Sequence, residues 1–221
     1  MIDIHSHILP GVDDGADSLE TSRKLLLQYA SQGVDCVICT SHQNKMLLRT
    51  DILRCEFNKF LKEVSDIPVH LYLGAEILYY TGMVKDLQEG KLLTLGGSKY
   101  VLIEFPVHCN AGDICDAVYE LVIAKYVPII AHIERYVNIT KKDYLKIKNE
   151  GALIQINANS VKGKYTAKVA KYLLKKGLVD FISSDCHDVK FRNADFTLIK
   201  EYVRKKFPKQ YDKLFNRTEL Q

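Results

Sequence analysis

The chain has 221 residues, of which 47% are hydrophobic and 26% are charged, as expected for one globular domain with a substantial core. The formal net charge of +4 is too small to indicate nucleic-acid binding, although it would favour an anionic substrate. No apolar run approaches the roughly 18 residues that cross a membrane, and the N-terminus lacks a signal-peptide pattern. We therefore expect a cytoplasmic protein that does not span a membrane and whose cysteines stay reduced.

Short apolar runs alternate with helical stretches along most of the chain. The predicted strands are residues 2–4, 34–40, 69–74, 100–105, 127–131, 153–157 and 179–183. The predicted helices are residues 19–32, 52–64, 84–89, 113–124, 142–149, 166–176 and 196–206. Continuously apolar strands are typical of parallel sheets that are covered on both faces. The alternation predicts an α/β protein, built either as a doubly wound sheet or as a closed β/α barrel.

Two cysteines form a C-x-x-C pattern inside the second predicted strand. Cys36 and Cys39 lie in an apolar, β-branched run. Because side chains three residues apart on a strand point to opposite faces, we expect two separate core cysteines and no shared metal or disulfide.

Histidines and carboxylates follow almost every predicted strand. In chain order these residues are His5, His7, His42, Glu76, Glu104, His132, Asp185 and His187. The C-terminal ends of parallel strands lie on one side of a β/α architecture, so these side chains are expected to converge there. Imidazole and carboxylate are natural ligands of Zn²⁺, Mn²⁺ or Fe²⁺. Buried carboxylates in such a cluster would repel one another unless cations lay between them, which indicates a metal centre.

Five stretches of the chain carry a resemblance to a known family. IDIHSHILPGVDDGADS, GAEI, LIEFP, AHIERY and ISSDCHD resemble the PHP (polymerase and histidinol phosphatase) family, in order from Met1 to Arg192. More narrowly, they resemble the bacterial tyrosine-protein phosphatases of capsule and exopolysaccharide loci, the CpsB/CapC-like group. The resemblance implies a distorted, TIM-like, seven-stranded β/α barrel of the PHP type. We expect a single domain over residues 1–206 and a loosely packed polar tail over residues 207–221.

The same resemblance implies three divalent metal ions, with Mn²⁺ expected and Fe²⁺ or Zn²⁺ as alternatives. The first ion would be held by His5, His7, Glu76 and Asp185. Glu76 would bridge to a second ion, held also by Glu104 and His132. The third would be held by Asp14, His42 and His187, with Asp13 as the less favoured alternative to Asp14. Arg135 and Arg192 match the positions of phosphate-binding arginines, whose guanidinium groups can grip phosphoryl oxygens in pairs.

The activity implied by the resemblance is hydrolysis of phosphotyrosine by a metal-activated hydroxide. The expected substrate is the phosphotyrosine-containing tail of a bacterial tyrosine kinase that controls capsular or exopolysaccharide synthesis. Two alternatives stay open: a small-molecule phosphatase of the histidinol-phosphate type, and a non-catalytic metal-binding docking module. The chain departs from the common family pattern at Gln43 and Ile133, which bears on fine specificity.

A second catalytic motif is present by spacing alone. Cys186 and Arg192 are separated by five residues, as in cysteine-dependent tyrosine phosphatases. The intervening HDVKF has no glycine or other small residue to build a tight phosphate loop. We therefore expect that Cys186 is not a nucleophile.

Overall fold

Two curved parallel sheets form the centre of the protein in the computed structural model, which describes residues 1–47 and 49–217. Within these residues the strands are β1 (Ile2–Ser6), β2 (Cys36–Cys39), β3 (His42–Gln43), β4 (His70–Leu73), β5 (Glu76–Leu78), β6 (Tyr100–Glu104), β7 (Val127–Ile130), β8 (Leu153–Asn157) and β9 (Phe181–Ser183). One sheet has the order β1-β2-β4 and the other the order β3-β5-β6-β7-β8-β9. The predicted α/β class is confirmed.

Helices connect most of the strands and cover the outside of the sheets. They are α1 (Leu19–Ser31), α2 (Thr50–Glu63), α3 (Met83–Gln88), α4 (Ala111–Ile123), α5 (Lys141–Asn149), α6 (Thr166–Lys175), α7 (Thr197–Lys206) and α8 (Pro208–Phe215). The side chain of Ser18 caps α1 by accepting from the backbone N–H of Thr21, and Thr140 with Asp143 forms a capping box on α5. None of the helices in the described part of the chain combines the length and apolar character needed to cross a bilayer.

The second and third predicted strands are each followed by a further short strand that was not predicted. The chain leaves β2 and re-enters the other sheet as β3, and it does the same between β4 and β5. Where β1 and β9 meet, the His7 backbone N–H donates to the Cys186 carbonyl and the Asp185 N–H donates to the His5 carbonyl, both at 2.9 Å. The first and last strands are therefore neighbours, while a continuous seven-stranded barrel stays a prediction.

Strand alternation divides the core into two layers. Tyr100 and Leu102 of β6 pack in a cluster on the inner face of the sheets, whereas Val101 and Ile103 pack in the larger cluster beneath the helices. Cys36 belongs to the inner cluster and Cys39 to the outer one. The two side chains therefore lie on opposite faces of β2, as strand alternation predicts.

The C-terminal segment differs from the expected loosely packed tail. Residues 208–215 form α8, and its Leu214 and Phe215 are buried. The side-chain amide of Gln210 donates to the Leu174 carbonyl at the end of α6, which fixes the helix against the domain. The prediction of a loose tail is therefore wrong for residues 208–215, because burial of the apolar side of α8 offsets the conformational entropy that is lost when the segment becomes ordered. Residues 218–221 lie outside the described residues.

Candidate metal centre

The nine predicted metal ligands lie together on the side of the sheets where β1, β6, β7 and β9 end, with His42 and Glu76 at the first residues of β3 and β5. They are His5, His7, Asp14, His42, Glu76, Glu104, His132, Asp185 and His187, and ion-pair contacts connect all of them. Most belong to strands or to the residue just after a strand, so the sheets fix their positions. Donor atoms in four overlapping groups of three or four residues lie within 4.8 Å of one another.

The deepest group surrounds the imidazole rings of His5 and His7. The two Nε2 atoms are 3.2 Å apart, and each lies 3.2 Å from Oε2 of Glu76. Oδ1 of Asp185 is 3.6 Å from His5 Nε2 and 3.7 Å from His7 Nε2. Donor atoms about 2.1 Å from one ion lie roughly 3.0–3.5 Å apart at octahedral or tetrahedral angles. The arrangement therefore fits one divalent cation held between these side chains.

Glu76 faces two parts of the cluster at once. Its Oε2 is directed at His5 and His7, while its Oε1 lies 2.8 Å from Nε2 of His132. The same His132 nitrogen is 3.4 Å from Oε1 of Glu104. A carboxylate whose two oxygens face different donor groups has the geometry of a bridging ligand.

The paired aspartates after β1 have different roles in the structure. Oδ1 of Asp14 lies 3.2 Å from His42 Nε2 and 3.5 Å from His187 Nε2, and its side chain is 65% exposed. The side chain of Asp13 is only 4% exposed, and its Oδ2 lies 2.9 Å from Nδ1 of His7 and accepts from the His42 backbone N–H. Asp14 thus faces the candidate ligand set, whereas Asp13 orients the ring of His7.

Gly15 allows this loop to lie directly against the first strand. A Cβ atom at Gly15 would lie 2.1 Å from the carbonyl oxygen of His7. Only glycine lets the backbone approach so closely, and the Gly15 N–H also donates to Asp13 at 3.0 Å. The sequence Asp-Asp-Gly therefore places both carboxylates beside the histidines.

The pKa shifts in the cluster indicate that positive charge stabilises its buried carboxylates. Burial opposes charge on Glu76, yet the charge of His5 and hydrogen bonds from the histidines hold the pKa of Glu76 well below its usual value. Burial also opposes charge on His7, but hydrogen bonds with Asp13 and Glu76 raise its pKa to about 10. Burial lowers the pKa of His187 to about 4, so this ring is neutral at physiological pH and suited to bind a metal.

Two further observations are those expected of a metal centre. The Nε2 atom of His187 is buried and makes no hydrogen bond with the described residues, although it faces Asp14. His132 and Asp185 have positive φ angles of 29° and 53°, which non-glycine residues rarely adopt. Strain of this kind collects at functional sites, where the surrounding structure holds it in place. The residues present therefore fit divalent ions.

Both predicted arginines lie beside this cluster. An Nη atom of Arg192 is 2.7 Å from Oδ1 of Asp185, and one of Arg135 is 3.7 Å from Oδ2 of the same residue. Their side chains are 42% and 39% exposed, so part of each guanidinium faces solvent. The arrangement offers cationic donors to an anion that approaches the carboxylates from outside.

Three polar residues at the site were not singled out from the sequence. Gln155 and Asn157 of β8 contact His5 and Asp185, and Glu134 accepts from the Asn157 backbone N–H at 2.9 Å. Burial raises the pKa of Glu134 to about 8. The sequence feature that could have indicated Gln155 and Asn157 is the occurrence of two polar residues at alternate positions of an otherwise apolar strand.

Cys186 lies behind the metal-facing side chains. It is fully buried, and its Sγ is 3.1 Å from the hydroxyl of Tyr29. Burial raises the pKa of the thiol to about 12, the opposite of what a thiolate nucleophile requires.

A parallel α/β fold that carries clustered histidines and carboxylates at its strand ends is characteristic of metal-dependent hydrolases. The family model for capsular polysaccharide synthesis, CpsB/CapC, matches residues 1–219. The chain belongs to this family, which confirms the resemblance recognised in its sequence.

Relatives and solved structures agree with this assignment. Tyrosine-protein phosphatase CpsB of Streptococcus pneumoniae is 34% identical over 94% of this chain and 91% of its own length. A structure of the metal-dependent tyrosine phosphatases YwqE from Bacillus subtilis and CpsB from Streptococcus pneumoniae has a TM-score of 0.83 at 32% identity, covering 94% of this chain and 87% of that one. Histidinol phosphate phosphatase from Lactococcus lactis shares the fold, with a TM-score of 0.58 at 15% identity and coverage of 95% and 94%.

Proposed function

We propose that this protein is a metal-dependent phosphatase that hydrolyses phosphotyrosine. The observation that carries the proposal is the convergence of nine histidine and carboxylate side chains beside two partly exposed arginines. Relatives that are named tyrosine-protein phosphatases, at about a third sequence identity over most of the chain, support the choice of substrate.

Three divalent ions, with Mn²⁺ as the physiological metal, are part of the proposal. The first would be held by His5, His7, Glu76 and Asp185. The second would be held by Glu76, Glu104 and His132. The third would be held by Asp14, His42 and His187. Bound there, the ions would supply an activated water and neutralise negative charge on the phosphoryl group.

The protein's own groups bind and orient the substrate in this scheme. Arg135 and Arg192 hold the phosphoryl oxygens by charge-assisted hydrogen bonds, which strengthen as charge accumulates in the transition state. Asp185 keeps both guanidinium groups directed at the centre through its two oxygens. The phenolic side of the ester extends outward, because the arginines lie at the exposed edge of the cluster.

The proposed substrate is the phosphotyrosine-containing tail of a bacterial tyrosine kinase, in the cytoplasm, in the control of capsular or exopolysaccharide synthesis. Family membership and the names of the relatives support this role. The net charge of +4 is compatible with an anionic phosphopeptide.

Chelation followed by metal add-back tests the proposal. Purified protein is assayed on a phosphotyrosyl peptide and on histidinol phosphate, before and after metal removal, and again with added Mn²⁺. Activity on the peptide that disappears on chelation and returns with Mn²⁺ supports the proposal. Turnover of histidinol phosphate alone would make it a small-molecule phosphatase, and metal binding without any turnover would make it a docking module. Full activity of metal-free protein would overturn the metal-dependent mechanism.

A further inference from the structure

Strand β8 contributes no residue to the nine candidate ligands, yet it carries two buried or half-buried polar side chains on the face that meets them. Gln155 is fully buried and Asn157 is half-buried. Being two residues apart on a strand, they point to the same side, whereas Ile154 and Ile156 pack in the core beneath the helices. Burying an amide is unfavourable unless its groups are hydrogen-bonded, so the partners of these two side chains matter.

A backbone donor fixes the orientation of the Gln155 amide. The backbone N–H of His132 lies 2.6 Å from Oε1 of Gln155, and a backbone N–H can only donate. This atom is therefore the carbonyl oxygen. Nδ1 of His5 lies 3.3 Å from the same oxygen, so it must carry the proton in this contact. When a cation lies beside this ring and the ring is neutral, Nε2 of His5 is the nitrogen left to bind it, and it is the one that faces Glu76 at 3.2 Å.

The other end of the Gln155 amide fixes Asn157 in turn. Nε2 of Gln155 donates to Oδ1 of Asn157 at 2.9 Å. Nδ2 of Asn157 is therefore directed away and donates to Oδ2 of Asp185 at 2.7 Å. Oδ1 of Asp185 remains the oxygen closest to His5 Nε2. The hydrogen bonds that run from His132 through Gln155 and Asn157 to Asp185 thus fix which atom of each side-chain amide is the oxygen and which is the nitrogen.

We infer that Gln155 and Asn157 are positioning residues that select the metal-binding tautomer of His5 and hold Asp185 so that both present a donor atom to the same ion. The inference rests on the proposed metal centre and deepens it. Groups that receive the second ring N–H of a metal-binding histidine fix its tautomer and orientation, and their loss typically weakens metal binding about 10–100-fold.

Mn²⁺ affinity of the intact protein tests this role. Gln155→Met keeps the length of the side chain and removes its acceptor and donor groups. We expect its Mn²⁺ dissociation constant, measured by calorimetric titration of metal-free protein, to rise about 10–100-fold. Ile156→Met is the matched control on the opposite face of β8, and we expect it to bind Mn²⁺ as the wild type does.

Two further measurements separate positioning from a general structural role. Thermal unfolding of the metal-free proteins should show both variants folded at the titration temperature, with a lower midpoint for Gln155→Met because the His132 backbone N–H loses its acceptor. In Zn²⁺-loaded wild type, the ¹⁵N NMR spectrum should show a protonated Nδ1 and an unprotonated Nε2 for His5, and Gln155→Met should lose the slowly exchanging Nδ1 proton. If Gln155→Met does not fold, Asn157→Ala, at a half-buried position, should show a Mn²⁺ affinity about tenfold weaker than wild type.

Failure of the inference differs from failure of the proposed function. Wild-type Mn²⁺ affinity in the folded Gln155→Met protein, or in Asn157→Ala where the first variant is unfolded, overturns the positioning role while leaving the metal centre intact. Absence of Mn²⁺ binding by the wild type would instead remove the proposed function on which the inference rests.

Discussion

Substitution of the paired aspartates distinguishes Asp14, a proposed metal ligand, from Asp13, which contacts the ring of His7. Asp14 is 65% exposed and has no contact that the fold needs, so Asp14→Ala should change the unfolding free energy of the metal-free protein by no more than about 0.5 kcal/mol. The side chain of Asp13 is only 4% exposed; it accepts from the Gly15 and His42 backbone N–H groups and contacts His7 Nδ1. The cost of Asp13→Ala should therefore be much larger.

The magnitude follows from the groups that lose their acceptor. Each buried donor left without a partner costs about 1–3 kcal/mol, and water that enters the space of the removed carboxylate recovers part of that cost. For the three donors around Asp13 we expect a net loss of about 2–4 kcal/mol in the metal-free protein. Asp14→Ala should instead lose one ion from the Mn²⁺ content without this loss of stability.

Urea unfolding of chelator-treated protein and elemental analysis of Mn²⁺-loaded protein give the two quantities. The reasoning is refuted if Asp13→Ala retains wild-type stability while losing an ion, and Asp14→Ala retains its full Mn²⁺ content and activity. That combination would exchange the roles assigned to the two residues.

Three other predictions address the arginines, the buried thiol and the last helix. Arg135→Ala and Arg192→Ala should each slow turnover of a phosphotyrosyl peptide by about 10–1000-fold with unchanged Mn²⁺ content, and normal kinetics in both would exclude them from phosphate binding. Cys186→Ser should keep most of the activity and iodoacetamide should inhibit only weakly, because the thiol is buried; an inactive variant with normal metal content would contradict this. Phe215→Ala should lower the unfolding free energy by about 3–5 kcal/mol, measured in urea, whereas no change would show that α8 is not part of the cooperative fold.

Much of the candidate site could be predicted from the sequence because its residues recur at one kind of position. His5, His42, Glu76 and Glu104 each lie at or just after an apolar strand, and the strands themselves are visible as apolar runs. Parallel strands bring their C-terminal ends to one side, so chain position alone indicates spatial proximity. The α/β class and the clustering of the ligands therefore needed no coordinates.

The C-terminal helix was accessible from the sequence but was predicted wrongly. Phe207, Tyr211, Leu214 and Phe215 recur at the spacing of one helical face, and Pro208 suits the first helical turn. The polar composition of residues 207–221 outweighed this periodicity in the prediction. Composition averages over all sides of a helix, whereas burial depends on one side only.

Other features depend on the direction of individual side chains and were decided only by the tertiary structure. Asp13 and Asp14 are adjacent and chemically identical, yet one is turned toward His7 and the other toward His42. The breaks after β2 and β4 arise where the chain passes from one sheet to the other, which no local pattern records. The hydrogen-bond chain through Gln155 likewise joins His5 to a strand 150 residues away. Local periodicity specifies which face a residue occupies, but which atom meets which across the sheet is set by non-local packing.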